Sequence, residues 1–513
     1  MPASNDRSSR PPRIGIAGYY GCGNLGDDTV VAILINTIKE YYPNADLVGL
    51  SLSPADTERR HGIKAFHLRN QDETRSLSKS AVSRRFDVQR RLLGTFKQLL
   101  KKWRLGFKVL KMLKYCFSDL PRAVLGEVLF LHRCHRRLQG CDFLIIPGSG
   151  PLTDWWGGPW THPYTFLSLG LLARINGAKL IALSVGSERL KTWLGKTLCK
   201  QFLSLAFYRS FRDEYSRDIM EQLGLEGHNP VCPDQGFALL DALPVPASIG
   251  VHERKPNADV VVGVIPVGKS VCVSEGADDA WYDRYIGNLS AFLSFLIRKG
   301  RYRIAFCPTT AGQDIPFVER IAHNIDAACP DMQLAGRIIK EPIGTLEEFI
   351  SRIQSCDIIV ASRFHGVVLP FALGKPVLAI SYGRKTCDLM REFGQADYHC
   401  WMDKASAAEM IGMFEALEQN RESIAQQLGN VVSQYRVRLK EQYDEVFVRS
   451  ADRCRGHDKK VSHIGNTPGA RLLNVPPLRS RTATGLDKRI RVKYASVEVQ
   501  QVREPGIPTR STA

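Results

Sequence analysis

One stretch of the chain, residues 357–385, constrains the fold more than any other. It begins with an apolar β-branched run, passes through the sequence SRFHG into a helical apolar pattern, and ends on a second apolar run. This order predicts a buried strand, a helix and a second buried strand of one parallel sheet. Ligands of such sheets bind beyond the carboxyl ends of the strands. Arg363 and His365 follow the first strand and Lys385 follows the second, so we expect these groups to hold an anion between them.

The same alternation of strand and helix patterns runs through most of the chain. Strands are predicted at residues 13–18, 45–53, 141–147, 179–185, 207–211, 260–266, 303–308, 358–360 and 376–381. Helices are predicted at residues 28–41, 164–176, 191–206, 280–298, 315–328 and 346–355. Such alternation is typical of doubly wound parallel sheets. We therefore predict an α/β fold with two Rossmann-like doubly wound domains that face a cleft.

The composition along the chain predicts where these domains begin and end. Residues 241–258 are rich in proline and break both periodicities, which indicates a linker. Low apolar density predicts disorder at both termini. The predicted organisation is a disordered N-terminus 1–12, a first domain 13–240 with a basic helical insertion at about 70–140, the linker 241–258, a second domain 259–404, helices 405–450 that cross back over both domains, and a disordered basic tail 451–513.

The formal net charge of +18 is concentrated in two segments. Residues 84–137 carry 15 basic and 3 acidic side chains, and residues 451–513 carry 13 and 5. The remainder of the chain is therefore close to neutral, and the basic character belongs to appendages. Neither segment has the aromatic-interleaved platform or the reading helix of nucleic-acid-binding proteins. We expect no nucleic-acid partner.

The basic insertion has two interpretations that the sequence leaves open. In LLGTFKQLLKKWRLGFKVLKMLKYCF, leucines, phenylalanines and Trp103 recur at helical spacing beside seven basic residues. This composition suits a helix that lies on an anionic membrane surface. It equally suits a solvated helical insertion that lysines keep soluble.

The cysteines and the N-terminus favour the cytoplasm. The 13 cysteines include no CxxC pair, which favours a reducing compartment. The first twelve residues lack the apolar core of a secretory signal, and no uninterrupted apolar run is long enough to span a bilayer. We expect a soluble or peripheral protein, at the inner face of the plasma membrane if the insertion binds lipid. His132, Cys134, His135 and Cys141 lack paired ligand spacing, so we predict no metal site.

Polar tips in the first domain supply the remaining candidate residues. The turn YYGCGNLGDD opens the first helix, and its glycines serve either tight packing or ligand contact. One of Asp27 and Asp28 would cap this helix while the other faces the cleft as a base. Arg212 follows another strand, and Asp213 and Asp234 are expected to pair with it or to orient it. Trp155, Trp156 and Trp160 follow a Gly-rich tip and suit either core packing or stacking on a sugar.

Taken in order, the motifs GYYGCGNLGDD, PGSGPLTD, FRDEYS, VCPDQG, SRFHG and SYGRK resemble the polysaccharide pyruvyl transferase family. The resemblance covers roughly residues 13–394 apart from the basic insertion. It implies a fold similar to the two-domain glycosyltransferase-B architecture. It also implies transfer of the enolpyruvyl unit of phosphoenolpyruvate onto two hydroxyls of a sugar, in a polysaccharide or its lipid-linked precursor, with release of phosphate. We expect phosphoenolpyruvate as the donor substrate and no cofactor.

The residues fit this chemistry. Phosphoenolpyruvate carries a phosphate and a carboxylate, which arginine forks match bidentately, so Arg363 and Arg212 are candidate donor ligands. His365 can deliver a proton or contact phosphate. The resemblance maps a basic pair onto Arg363 and His365, and a lysine onto Lys385. The predicted catalytic residues are His365, Arg363 and Asp28. The predicted substrate-binding residues are Arg212, Lys385, Gly23, Asn24, Asp27, Gly148, Ser149, Gly150, Asp154, Ser362, Ser381 and Tyr382.

Two other functions are compatible with this fold. A glycosyltransferase that uses a nucleotide sugar would also use two Rossmann-like domains, but its donor favours a carboxylate for the ribose, where this chain has Tyr382, Gly383, Arg384 and Lys385. A membrane-associated, non-catalytic glycan-binding relative would have no reason to keep Arg212, Arg363, His365 and Lys385 together.

Overall fold

The structure is a computed structural model that describes residues 10–70, 120–148, 150–155, 157–187, 190–244, 259–269, 271 and 279–449. Four predictions fall largely beyond these residues. They are the disordered N-terminus, most of the basic insertion, the linker and the basic tail, all of which stay predictions.

The first half of the chain forms a parallel sheet of six strands in the order β3-β2-β1-β4-β5-β6. The strands are β1 Arg13–Ala17, β2 Asp46–Ser51, β3 Lys64–His67, β4 Phe143–Ile146, β5 Lys179–Val185 and β6 Tyr208–Phe211. The helices are α1 Leu25–Tyr41, α2 Pro54–His61, α3 Leu120–Leu138, α4 His162–Ile175, α5 Trp193–Ser204, α6 Glu214–Gln222 and the short α7 Leu239–Ala242. A 3-10 turn, Gln235–Ala238, precedes α7.

The second half repeats this architecture with the strand order β12-β11-β10-β7-β8-β9. Its strands are β7 Val260–Ile265, β8 Tyr302–Phe306, β9 Ile338–Ile339, β10 Ile358–Ala361, β11 Val377–Ser381 and β12 His399–Trp401. Its helices are α8 Asp279–Arg298, α9 Ala311–Ala328, α10 Leu346–Ser355, α11 His365–Ala372, α12 Arg384–Glu392, α13 Ala407–Gln419 and α14 Arg421–Tyr443. Two parallel, doubly wound sheets confirm the predicted fold class, including the glycosyltransferase-B-like architecture.

The start of α1 differs from the prediction in a way that matters for the site. The helix begins at Leu25, three residues earlier than expected, because Asn24 caps it with its side chain accepting from the Gly26 amide at 3.3 Å. The Leu25 amide donates to the Thr309 carbonyl at 2.8 Å, so the second half of the chain fixes this turn. The earlier start sets which of the two following aspartates faces outward.

The two C-terminal helices form where one long helical pattern was predicted, and the pattern is broken at Asn420. The second of them, α14, returns to the first sheet. Gln442 near its end is buried, and its side-chain amide donates to the Ser210 hydroxyl of β6 at 2.5 Å. The Ser184 hydroxyl of β5 donates to the same Gln442 side chain at 3.3 Å. One helix of the second half is thus hydrogen-bonded to two strands of the first.

We predict that Gln442→Ala lowers the free energy of unfolding by about 1–3 kcal/mol, because the buried Ser184 hydroxyl loses its acceptor and the Ser210 hydroxyl loses one of its two donors. The change would appear as a lower denaturant midpoint in fluorescence-detected unfolding. Gln426→Ala, at an exposed position of the same helix, serves as the control. Equal midpoints for the two variants would contradict the proposed role of Gln442.

Candidate active site

A cleft with an empty volume of about 2130 Å³, part of it open to solvent, lies between the two sheets. The first half contributes Asn24, Asp27, Gly150, Arg212 and others, and the second half contributes Arg363, Phe364, His365, Tyr382 and Lys385. These residues belong to the tips that follow β1, β4, β6, β10 and β11. The structure therefore brings together the carboxyl ends of strands from both domains, as expected of parallel sheets.

His365 stands at the first turn of α11 between two carboxylates of the first domain. Its Nδ1 lies 3.1 Å from Asp27 Oδ1, and its Nε2 lies 3.7 Å from Asp234 Oδ2. Asp27 is held in turn by Asn24, whose side-chain amide donates to Asp27 Oδ2 at 2.6 Å. The imidazole is nearly buried, yet it lines the cleft.

This environment keeps the imidazole charged. Burial alone would lower the pKa of His365, but the nearby carboxylates of Asp234 and Asp27 outweigh it and raise the pKa to about 9. Burial likewise would raise the pKa of Asp234, and contacts with His365 and Arg212 hold it below its ordinary value. At neutral pH the group is therefore an imidazolium between two carboxylates, and it can donate a proton.

Arg363 is fixed by a buried carboxylate that the sequence did not single out. Its Nη2 donates to Asp314 Oδ1 at 2.7 Å, and its Nε donates to the Pro266 carbonyl at 3.2 Å. Asp314 is fully buried and also accepts from the backbone amides of Gly268, Thr309 and Thr310. These bonds hold the guanidinium in a fixed position at the wall of the cleft.

Arg212 is fixed from the first domain. Its Nε donates to Asp213 at 3.4 Å, and its Nη1 lies 3.7 Å from Asp234 Oδ2. The guanidinium lies over the Phe364 ring, 4.3 Å from its centroid, and Lys385 Nζ lies 5.4 Å from the same centroid. Asp213 and Asp234 therefore both contact Arg212, and Asp234 also reaches His365. The spatial link from Arg212 through Asp234 to His365 has no local sequence signal, because it crosses two domains.

Several predicted residues lie away from the cleft. Asp28 is fully buried, accepts from the Gly21 amide at 3.0 Å, and lies 3.7 Å from Arg60 and 3.6 Å from His61. Asp154 accepts from the amides of Lys191 and Thr192 and organises the loop before α5. A catalytic role for Asp28 stays a prediction that this position does not support. Asp27 is the aspartate of the pair that faces the cleft.

The remaining predicted binding residues divide in the same way. Asn24, Gly150 and Tyr382 line the cleft. Gly148 packs against the Ser184 carbonyl, Ser362 hydrogen-bonds the Tyr285 hydroxyl at 2.8 Å, and Ser381 hydrogen-bonds His399 at 2.5 Å. Gly23 has φ +76°, which a glycine adopts readily in this turn. Ser149 falls outside the described residues.

Two other kinds of feature are absent from the described residues, a membrane-spanning helix and a metal site. Among the described residues, no helix is both long and apolar enough to cross a membrane. The same residues contain no group of three or more side chains arranged to hold a metal ion. Neither finding tests the predicted absence of a cofactor.

The fold and the site define a two-domain α/β protein with carboxylate-anchored cations in its cleft. The chain belongs to the polysaccharide pyruvyl transferase family, whose model matches residues 24–384. This match confirms the family suggested by the sequence motifs.

A relative and two solved structures show the extent of the similarity. The chain is 22% identical over 449 residues to the amylovoran biosynthesis protein AmsJ of Erwinia amylovora, covering 83% of this chain and 96% of AmsJ. It resembles the UDP-GlcNAc 2-epimerase of Neisseria meningitidis, solved with UDP-GlcNAc, with 11% identity, 81% and 94% coverage and a TM-score of 0.45. It also resembles the S. aureus MnaA–UDP structure, with 9% identity, 81% and 90% coverage and a TM-score of 0.46.

We predict that the imidazole of His365 titrates near pH 9, and that Asp234→Asn lowers this pKa because it removes one of the two flanking charges. Histidine-selective NMR across pH 5 to 10 would measure both values. Because folding raises the pKa of His365, its protonation adds to the free energy of unfolding. This contribution is complete below about pH 6.5 and is lost as the pH rises through about 9. A His365 signal that titrates near pH 6.5 in both proteins would contradict the described site.

Proposed function

We propose that this protein transfers the enolpyruvyl unit of phosphoenolpyruvate onto two hydroxyls of a sugar, forming a cyclic pyruvate ketal and releasing phosphate. The family membership supports a pyruvyl transferase that acts in polysaccharide biosynthesis. The observation that supports the finer proposal is that Arg363, Arg212 and His365 line one cleft, and that a carboxylate lies within 3.7 Å of each of them.

The donor carries two anionic groups, a phosphate and a carboxylate, and the two arginines can bind both at once. Asp314 and Asp234 hold the two guanidinium groups in fixed positions, so little side-chain freedom is lost when an anion binds. A guanidinium matches carboxylate or phosphate oxygens with parallel hydrogen bonds. We assign the phosphate and carboxylate of phosphoenolpyruvate to Arg363 and Arg212, with Lys385 as a further phosphate ligand.

The imidazolium of His365 supplies the acid. Donation of its proton to C3 of phosphoenolpyruvate makes C2 electrophilic, and a sugar hydroxyl then attacks C2. The second hydroxyl then forms a bond to the same carbon as the C2–O bond to phosphate breaks, and its proton goes to the imidazole that the first step left neutral. This closes the ketal, releases phosphate and restores the imidazolium. Asp27, 3.1 Å from His365 and partly open to the cleft, is placed to accept the proton of the first hydroxyl, which the departing phosphate then takes up.

The first domain offers a surface for the sugar. Tyr19, Thr153, Trp155 and His162 line the same cleft from that side. Lys191 Nζ lies over the Trp155 ring, 4.4 Å from its centroid, which fixes this aromatic at the cleft wall. Aromatic faces and hydroxyls of this kind suit a saccharide. We therefore place the acceptor against the first domain, and the donor between Arg212 and the second domain.

The test of the proposed function is phosphate release from phosphoenolpyruvate across a panel of candidate acceptor glycans. We expect release that depends on one class of glycan. UDP- and dTDP-sugars serve as control donors with the same panel. Transfer from a nucleotide sugar, with no glycan-dependent release from phosphoenolpyruvate, would refute the proposal.

For Arg363→Lys, we predict a rise of about 10- to 100-fold in the KM for phosphoenolpyruvate, because the fork is lost while the charge facing Asp314 remains. His365→Gln should lower kcat by at least about 100-fold, since the proton donor is removed. In the wild type, kcat/KM should fall above about pH 9, where His365 loses its proton. Arg320→Lys, which changes an exposed arginine of the second domain, is the control. Near-normal kinetics in both site variants would contradict these roles.

We further predict that Gly26→Ala impairs catalysis without unfolding the protein. A Cβ at Gly26 would lie 2.8 Å from the His365 Cβ, so either His365 or the start of α1 would have to shift, which changes the distance between the imidazole and Asp27. We expect kcat to fall by about tenfold or more, since small displacements of a proton donor are costly. Gly412→Ala, in a helix with open space around the new methyl, is the matched control for steady-state kinetics. Unchanged kcat in Gly26→Ala would show that this contact does not position His365.

A further inference from the structure

The outward face of α3 carries an apolar stripe that the proposed reaction does not use. Val124, Leu125, Val128 and Leu129 lie on consecutive turns and are between 49% and 59% exposed. The opposite face of the helix is buried through Phe130, Cys134 and Leu138. Exposed clusters of large aliphatic side chains are uncommon on soluble proteins and mark sites of interaction.

Neighbouring elements extend this apolar surface. Helix α4 packs beside α3, and α5 packs beside α4. Trp160, just before α4, is 62% exposed and lies beside α3, since it shares a cavity with Glu127 and Leu131. Leu171 and Ile175 of α4 are also exposed. One helical layer of the first domain therefore combines exposed aliphatic residues with an exposed tryptophan, a combination typical of the membrane interface.

The charge around the stripe is positive. Arg122, Arg133 and Arg136 are exposed on α3 itself, together with His132. The 49 residues that precede α3 in the sequence, 71–119, contain 13 basic and 4 acidic residues. A second copy of the chain docked on the same face would bring the arginines of α3 against one another, which disfavours a symmetric dimer. Anionic lipid headgroups would complement them.

We propose that the outward face of α3 docks on an anionic lipid bilayer, with Val124, Leu125, Val128 and Leu129 at the acyl boundary and the arginines at the headgroups. In this arrangement α3 lies along the surface of the bilayer. Lysine and arginine near an anionic leaflet and buried aliphatic groups each add affinity, so the two contributions reinforce one another.

The position of α3 connects this surface to the cleft. Arg69 lines the cleft and also lines the cavity next to Glu127 and Phe130 of α3. Docking would therefore hold the edge of the cleft near the bilayer. If the proposed function is correct, the acceptor would be a saccharide attached to a lipid. Lipid docking itself does not depend on that function.

Vesicle flotation of the full-length protein tests the proposal. Vesicles of phosphatidylcholine with phosphatidylglycerol are compared with vesicles of phosphatidylcholine alone. We expect flotation with the anionic vesicles and a partition coefficient at least about tenfold lower for Val128→Asp, which loses an aliphatic contact and adds a repelled charge. The matched control is Val437→Asp on α14, because Val128 and Val437 are 55% and 56% exposed. This control should float like the wild type.

Several outcomes would overturn the proposal. One is an absence of flotation with anionic vesicles, and another is equal flotation of the two aspartate variants. A third is a wild-type dimer in light scattering that Val128→Asp dissociates, which would make this face an interface between copies. A lower melting temperature for Val128→Asp alone, without vesicle binding by the wild type, would mean that the chain itself covers the stripe. Flotation is measured without substrate, so failed docking and failed pyruvyl transfer are distinguishable.

Discussion

The site depends on the ionic contacts of one buried carboxylate, that of Asp234. Its Oδ2 lies 3.7 Å from Arg212 of the first domain and 3.7 Å from His365 of the second. A fully buried carboxylate costs several kcal/mol in desolvation unless cations compensate it. Here the compensating cations come from both domains, so the stability of the ion cluster requires that the two domains meet as they do. His365, the proposed acid, and Arg212, proposed to bind the donor, are thereby held in one cluster.

A buried carboxylate also positions Arg363. Arg363 is held by Asp314, which the backbone amides of Gly268, Thr309 and Thr310 position in turn. The Thr309 carbonyl also accepts a hydrogen bond from the Leu25 amide, at the start of α1 and close to Asp27. Arg363, proposed to bind the donor, and the segment that carries Asp27, the proposed base, are therefore linked by one continuous set of polar contacts. Buried ionic contacts stabilise a fold less than apolar packing does. We therefore attribute their presence here to the proposed reaction.

The sequence was sufficient to predict the two doubly wound domains and the tips that meet at the cleft, because long apolar runs identify buried strands and ligands gather at their carboxyl ends. It could not decide between Asp27 and Asp28. That choice depends on the first residue of α1, and capping by Asn24 starts the helix at Leu25. Asp314 and the double contact of Asp234 were also beyond a sequence-based prediction, since both depend on distances between distant segments. The helix α12 was missed because its buried positions are few.

The proposed reaction converts phosphoenolpyruvate and a sugar diol into a pyruvate ketal and phosphate. Mass spectrometry of an acceptor saccharide, after incubation with the enzyme and phosphoenolpyruvate, is its decisive test. We expect a product heavier by one pyruvic acid less one water, with one phosphate released for each product formed. Phosphate release without any change in the mass of the saccharide would contradict it.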